Sequence, residues 1–214
     1  MEMPLERRLK KKTHKEIGYL QDEAMELIYS AQPQAVLHGG TELWRCFGGT
    51  RFSDDIDLYF ETLPGSFQAE FREKLESRGL RMGKFKITEN TAFCIISGEQ
   101  DIKVQIHIGK PPASGTMNYE RMDGTSLIIR AVPIDELIVE KAEAYLSRKK
   151  IRDVYDVFFL AQAHKFRIGT EQKLGELIAK FQSPMDEGDL QTIIYAGAVP
   201  KFVEMMDYLK GRFR

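Results

Sequence analysis

The sequence predicts an α+β protein, with a mixed sheet-and-helix half over residues 1–130 and an all-helical half over residues 131–214. Three observations carry this expectation. Short apolar runs broken by glycine are confined to the first half, and several alternate with a period of two. From Pro133 onward the apolar side chains recur at helical spacing, interrupted by Pro184, Gly188 and Pro200. Finally, 43% of the 214 residues are hydrophobic, enough for an ordinary buried core.

Taken in order, residues 13–31 carry Ile17, Leu20, Ala24, Leu27 and Ile28 on one helical face, and Pro33 ends that run. Ala35 to His38 is a short strand stopped by Gly39 and Gly40. Thr41 to Phe47 then reads as a helix opening on the glycine turn, closed by Gly48 and Gly49. Residues 55–60, Asp-Ile-Asp-Leu-Tyr-Phe, alternate as a strand with one acidic face and one apolar face. A helix from Ser66 to Arg78 stops at Gly79. Two further strands follow, Phe93 to Ser97 and Ile102 to Ile108, the second with Ile102, Val104, Ile106 and Ile108 on one face.

Composition narrows the function classes. Lys plus Arg number 31 and Asp plus Glu 32, so no global basic field marks a nucleic-acid binder, and any such surface must be local. The two cysteines, Cys46 and Cys94, lack a second cysteine or paired histidine at metal-ligand spacing and read as reduced core thiols in a cytoplasmic protein. The basic start of the chain leads into no apolar stretch of signal-peptide length, and no segment approaches a membrane span.

The chemistry is concentrated in HGGTELWRCFGGTRFSDDIDLYFE, residues 38–61. Strand alternation projects Asp55 and Asp57 to the same side, where two like charges call for a divalent cation between them. Mg2+, or Mn2+ in its place, suits such a pair, because it takes its remaining oxygens from water and substrate phosphates. The Gly39-Gly40 turn lets backbone approach a ligand, the following helix start offers amides to phosphate oxygens, and Thr41 adds a hydroxyl. Either feature alone reads equally as an ordinary turn or a solvated strand edge. Together, with Arg51, Phe52 and Ser53 just ahead of the acids, they make an arrangement that holds a nucleoside triphosphate and its metal.

This stretch resembles the signature of the AbiEii/AbiGii toxin family of nucleotidyltransferases, within the DNA polymerase beta superfamily. Members carry a glycine-glycine-threonine turn, an arginine-aromatic-serine run and an acidic pair. VEKAEAYLSRKKIRDVYDVFFLAQ, residues 139–162, resembles the family's later motif, a lysine followed by an Arg-Asp-x-x-Asp helix. Lys141, Tyr145, Arg148, Arg152 and Asp156 recur three or four apart, one stripe on a continuous helix, with a break near Ser147 also compatible. In this reading Lys141 is a point charge for a triphosphate oxygen, Arg148 and Arg152 are planar forks for phosphate, and Asp153 and Asp156 orient them. A solvated helix face laced with ion pairs is the alternative.

The resemblance implies a polymerase-beta-type core followed by a C-terminal helical bundle. It implies transfer of NMP from an NTP such as ATP to an RNA acceptor, the 3′ end of tRNA, by the toxin of a type IV-like toxin-antitoxin system with a cognate antitoxin. The basic N-terminal run and the Arg148–Arg152 cluster are the candidate contacts to RNA phosphates. The pattern departs at the third carboxylate, which superfamily members place on a neighbouring strand. The matching strand here presents Lys103, Gln105 and His107, and a neutral amide takes no proton from a hydroxyl. A nucleotide-binding module with weakened catalysis therefore stays open beside the RNA reading, and so does a protein or small-molecule acceptor, because the helical half carries no decisive acceptor code.

Overall fold

A computed structural model describes residues 3–214, whose contacts divide the chain into two units. One holds the chain up to Gly48 together with Phe52–Val132; the other holds Gly49–Arg51 together with Pro133–Arg214.

The first unit runs α1 (Leu5–Arg8), α2 (Lys12–Ala31), β1 (Val36–His38), α3 (Gly39–Cys46), β2 (Ile56–Phe60), α4 (Phe67–Ser77), β3 (Arg81–Ile87), β4 (Thr91–Ser97), β5 (Asp101–Ile108), β6 (Gly115–Glu120) and β7 (Ser126–Ala131). The strands form one sheet in the order β3-β4-β5-β2-β1-β7-β6. β2 lies at its middle, parallel to β5 and antiparallel to β1. Asp55 sits one residue ahead of the strand.

Alternation dictates which way β2 faces. Ile56, Leu58 and Phe60 are fully buried, with Ile102, Val104 and Ile106 of β5, in one cluster with Leu20, Ala24, Met25, Leu27 and Ile28 of α2 and Phe67, Phe71 and Leu75 of α4. The other pleat carries Asp57 and Tyr59 of β2 and Lys103, Gln105 and His107 of β5, all partly exposed. A slip of one residue would expose three large side chains at about 1.5–3 kcal/mol each and bury Asp57, so the register is strongly held.

Three strands, β3, β6 and β7, have no counterpart in the sequence reading. β3 and β6 are the sheet edges; most of β3 is exposed and β6 buries only Tyr119, so little apolar alternation marks them. β7 meets β1 through the single pair Leu37 and Ala131.

The second unit contains α5 (Ile134–Arg148), α6 (Ile151–Ala163), α7 (Ile168–Ile178), a 3-10 turn at Glu187–Asp189, α8 (Leu190–Ile193) and α9 (Phe202–Arg212). α5 packs on α6 and α7, and α6 on α9, burying Leu137, Ala142, Val157, Leu160, Leu174, Met205 and Leu209. α5 and α6 are separate helices: Lys149 takes a left-handed conformation with φ 50 and its amide closes on Tyr145 O at 2.8 Å. Gly49–Arg51 joins this unit through a bridge between Arg51 and Ile194, with the Tyr195 amide donating to Thr50 O at 3.0 Å and the Tyr195 hydroxyl to Gly49 O at 2.7 Å.

Cys46 and Cys94 are both unbridged, and burial pushes the Cys94 thiol up to about 12. Among the described residues, no helix is long and apolar enough to cross a membrane.

Candidate active site

The β1–β2 register sets His38 opposite Asp57, so the chain leaving β1 turns directly against that carboxylate. Gly39 makes the turn with φ +85, and a Cβ there would stand 2.7 Å from Asp57 Oδ2. Only glycine both adopts that backbone and clears the acid. α3 starts at this point, with Gly40 and Thr41 buried, and the Thr41 hydroxyl donates to the Asp55 carbonyl. Gly39, Gly40, Thr41, Asp55 and Asp57 are thus brought together within the first unit.

Gln21 of α2, fully buried, ties these pieces down. Its amide nitrogen donates to Ser53 O at 2.9 Å and lies 3.5 Å from Thr41 Oγ1. Its amide oxygen accepts from Arg45 at 3.3 Å. Arg45, also buried, donates to Gly18 O at 2.8 Å and Glu120 O at 3.0 Å, pairs with Asp22 at 3.3 Å and lies 4.0 Å over the Trp44 ring. Burial pushes the Asp22 carboxyl above its ordinary range, against the pull of Arg45. Phe52 stacks on His14 at 3.9 Å and tilts against Trp44 at 5.3 Å, which anchors the residue just ahead of Ser53.

Sequence reasoning missed Gln21, Asp22, Arg45 and His14. A signal existed for Gln21: Gly18, Gln21, Met25 and Ile28 recur at helical spacing, and all are buried.

Gln105 is the register partner of Asp57 on β5. Its amide oxygen accepts from Lys103 Nζ at 3.0 Å and its nitrogen lies 3.1 Å from His107 Nε2. The Asp55 and Asp57 carboxylates would offer a metal oxygen donors only. That chemistry fits Mg2+, which borrows the rest of its shell from water and phosphate, better than a metal that needs a full protein cage. Among the described residues, no group of three or more His, Cys, Asp or Glu side chains is placed to hold a metal.

The second unit gathers another charged set. Asp156, fully buried, takes Arg51 in a two-point pair, at 2.5 Å to Nε and 2.6 Å to Nη2, and Lys141 Nζ at 3.0 Å. Burial opposes the Asp156 charge, yet the attraction of Arg51 and Lys141 outweighs it and holds the carboxyl below its ordinary range. Arg148 makes a two-point pair with buried Asp153 at 2.7 Å to each oxygen, across the break between α5 and α6. Arg152 is exposed. The Tyr145 hydroxyl turns to Gln182 O at 2.5 Å. The solvated-face alternative does not describe Asp153 and Asp156, whose side chains are shut away from solvent.

The family model for the nucleotidyl transferase AbiEii toxin of type IV toxin-antitoxin systems matches residues 28–194. The chain belongs to this family. It is a nucleotidyltransferase of the AbiEii toxin type, and the match spans both the glycine turn with its acids and the Lys141–Asp156 motif.

Solved structures show the same polymerase-beta-like fold. JHP933 from Helicobacter pylori superposes with a TM-score of 0.68 at 18% identity, over 94% of this chain and 90% of that one. A putative nucleotidyltransferase from H. pylori gives 0.67 at 17% identity, over 95% and 94%. MenT4, a nucleotidyltransferase toxin from Mycobacterium tuberculosis, gives 0.63 at 15% identity, over 94% and 82%. No curated protein sequence matches. The AbiEii match leaves out His14, Gln21 and Asp22, so part of the network that braces the turn lies ahead of the recognised segment.

Proposed function

We propose that this AbiEii chain transfers a nucleotidyl group from a Mg2+-bound NTP, ATP among the candidates, to the 3′ end of an RNA, with tRNA as the acceptor. In this reading it acts in the cytoplasm as a toxin held in check by a cognate antitoxin. One observation carries the catalytic part: Asp57 Oδ2 stands where a side chain on Gly39 would be, so a metal-binding acid and a phosphate-accepting turn share one corner.

The roles follow from chemistry. Backbone amides at Gly39, Gly40 and Thr41 receive the β- and γ-phosphate oxygens, because the first turn of a helix leaves its N–H groups without internal partners. Asp55 and Asp57 would hold the metal, which, when bound, lowers the pKa of the acceptor hydroxyl and offsets charge on the transferring phosphoryl group. Thr41 and Gln21 keep the Ser53–Asp55 backbone in place, so the acids need little rearrangement when substrate arrives. Lys141, Arg148 and Arg152 are assigned as cations for phosphate or acceptor, and Arg51, Asp153 and Asp156 as the groups that set them. The exposed lysines at 10, 11 and 12 add local positive charge suited to an RNA backbone.

The test is transfer itself. Purified protein with Mg2+ and each labelled NTP is expected to label tRNA, and Asp57→Asn to abolish it. Label on protein or a small molecule, read by mass spectrometry, would replace RNA as acceptor. Full activity in Asp57→Asn would refute every catalytic version. Gln105 favours one second reading, a weakly catalytic nucleotide-binding module, because its amide is engaged by Lys103 and His107 and carries no charge. Calorimetry showing NTP binding without turnover would select it.

A further inference from the structure

Two residues along β2 from Asp57, on the same pleat, stands Tyr59. Its ring stacks on His38 of β1 with centroids 4.3 Å apart and planes 29° apart. His107 of β5, the register partner of Tyr59, completes the group at 5.5 Å from Tyr59 and 5.2 Å from His38. The three rings come from three adjacent strands, on the face turned away from the α2–α4 core, and all are partly exposed. Core packing does not account for rings on the polar pleat. Lys103 shares this pleat but lies on the other side of Gln105 from His107, level with Asp55, so its charge sits toward the phosphate turn rather than at the rings.

Direction along the sheet distinguishes the possible occupants. Gly39 follows His38 at the end of β1, and β1 runs antiparallel to β2, so a step from Asp57 to Tyr59 leads away from the phosphate turn. In an in-line displacement the attacking and leaving oxygens lie on opposite sides of the transferred phosphorus. With the pyrophosphate end at the turn, the acceptor approaches from the side where Tyr59 and His107 stand. Two strand residues span roughly 7 Å, a distance suited to a terminal ribose whose hydroxyl is at Asp57 and whose base reaches the rings.

We infer that Tyr59, with His38 and His107, forms a stacking platform for the last unpaired base of a single-stranded RNA acceptor. This rests on the RNA-acceptor reading above. Ring stacking tolerates any base, because each has a π-face, so the platform selects an unpaired end rather than a sequence.

The test uses the full chain and a short single-stranded oligoribonucleotide ending in the fluorescent base 2-aminopurine, together with steady-state transfer kinetics. Wild type is expected to quench the terminal base, and Tyr59→Phe to keep that quenching. Tyr59→Leu, and His107→Leu as an independent second variant, are expected to lose it. Each leucine variant should raise the acceptor KM roughly 5- to 150-fold, the range for loss of a base-on-aromatic stack, and leave the NTP KM unchanged. RNA labelling by both leucine variants with wild-type acceptor KM overturns the platform alone. A rise in NTP KM instead places the incoming base on the rings and overturns it too. Wild type that neither labels RNA nor quenches the probe removes the RNA reading, and the platform with it.

Discussion

Asp156→Ala tests how the helical unit tolerates its buried charges. The Asp156 side chain is 0% exposed, Arg51 4% and Lys141 7%, and one carboxylate serves both cations. Removing it takes the shared carboxylate away from two largely buried cations, and breaking a buried pair from one side costs about 3–5 kcal/mol. For a protein of this size each kcal/mol lowers Tm by about 2–4 °C, so a fall of roughly 6–20 °C is expected. Arg51→Met should cost less, because Lys141 remains 3.0 Å from Asp156 and still neutralises it. The double variant Arg51→Met with Asp156→Leu should recover part of the loss, since it removes one of the two buried cations together with the carboxylate they share. Thermal unfolding followed by circular dichroism gives the order. An Asp156→Ala protein within about 1 kcal/mol of wild type, or one more stable than Arg51→Met, would refute the reasoning.

Other perturbations address the first unit. Gly39→Ala forces a Cβ to 2.7 Å from Asp57 Oδ2 at φ +85, whereas Gly79→Ala, at φ +72 with nothing within 4 Å, meets backbone strain alone. Both should lose about 1–2 kcal/mol from the left-handed backbone, but only Gly39→Ala should lose transferase activity; equal activity in the two would separate the turn from the chemistry. Burial, then the charge of Lys11, lowers the His14 pKa below its ordinary value, outweighing Asp54. The unfolded chain therefore binds a proton first as pH falls, so this contribution to stability is complete above about 6.5 and is lost through that value toward the lower folded pKa. His14→Phe, which keeps a ring on Phe52, should flatten the Tm profile between about pH 7 and pH 5; an unchanged slope would exclude His14 as its source.

Much of the first unit was legible because its signals are local. Alternation in residues 55–60 put Ile56 and Leu58 in the core and left Asp57 on the polar pleat, and this is how β2 lies. Helical spacing marked the helix of residues 13–31, observed as Lys12–Ala31. The family resemblance, read from residues 38–61 and 139–162, agrees with the match over residues 28–194. Edge strands β3 and β6 were not legible, since strands exposed at the rim carry weak alternation. Of the two forms the stripe through Lys141 and Asp156 could take, the broken one is observed, with the break at Lys149, two residues past Ser147; its positive φ on a non-glycine residue is not visible in spacing.

By itself the sequence determined the polar pleat of β2 and the apolar face of α2. Those properties depend on side chains two, three or four residues apart, and the backbone period converts such spacing directly into faces. Only the tertiary structure decided that Arg51 belongs with Asp156 in the helical unit, that Gln21 and Arg45 brace the Ser53–Asp55 backbone, and that His38, Tyr59 and His107 meet. Those partners are distant in sequence. Their pairing comes from strand register and from the demand that each buried polar group find a partner, and neither has a period that can be read along the chain.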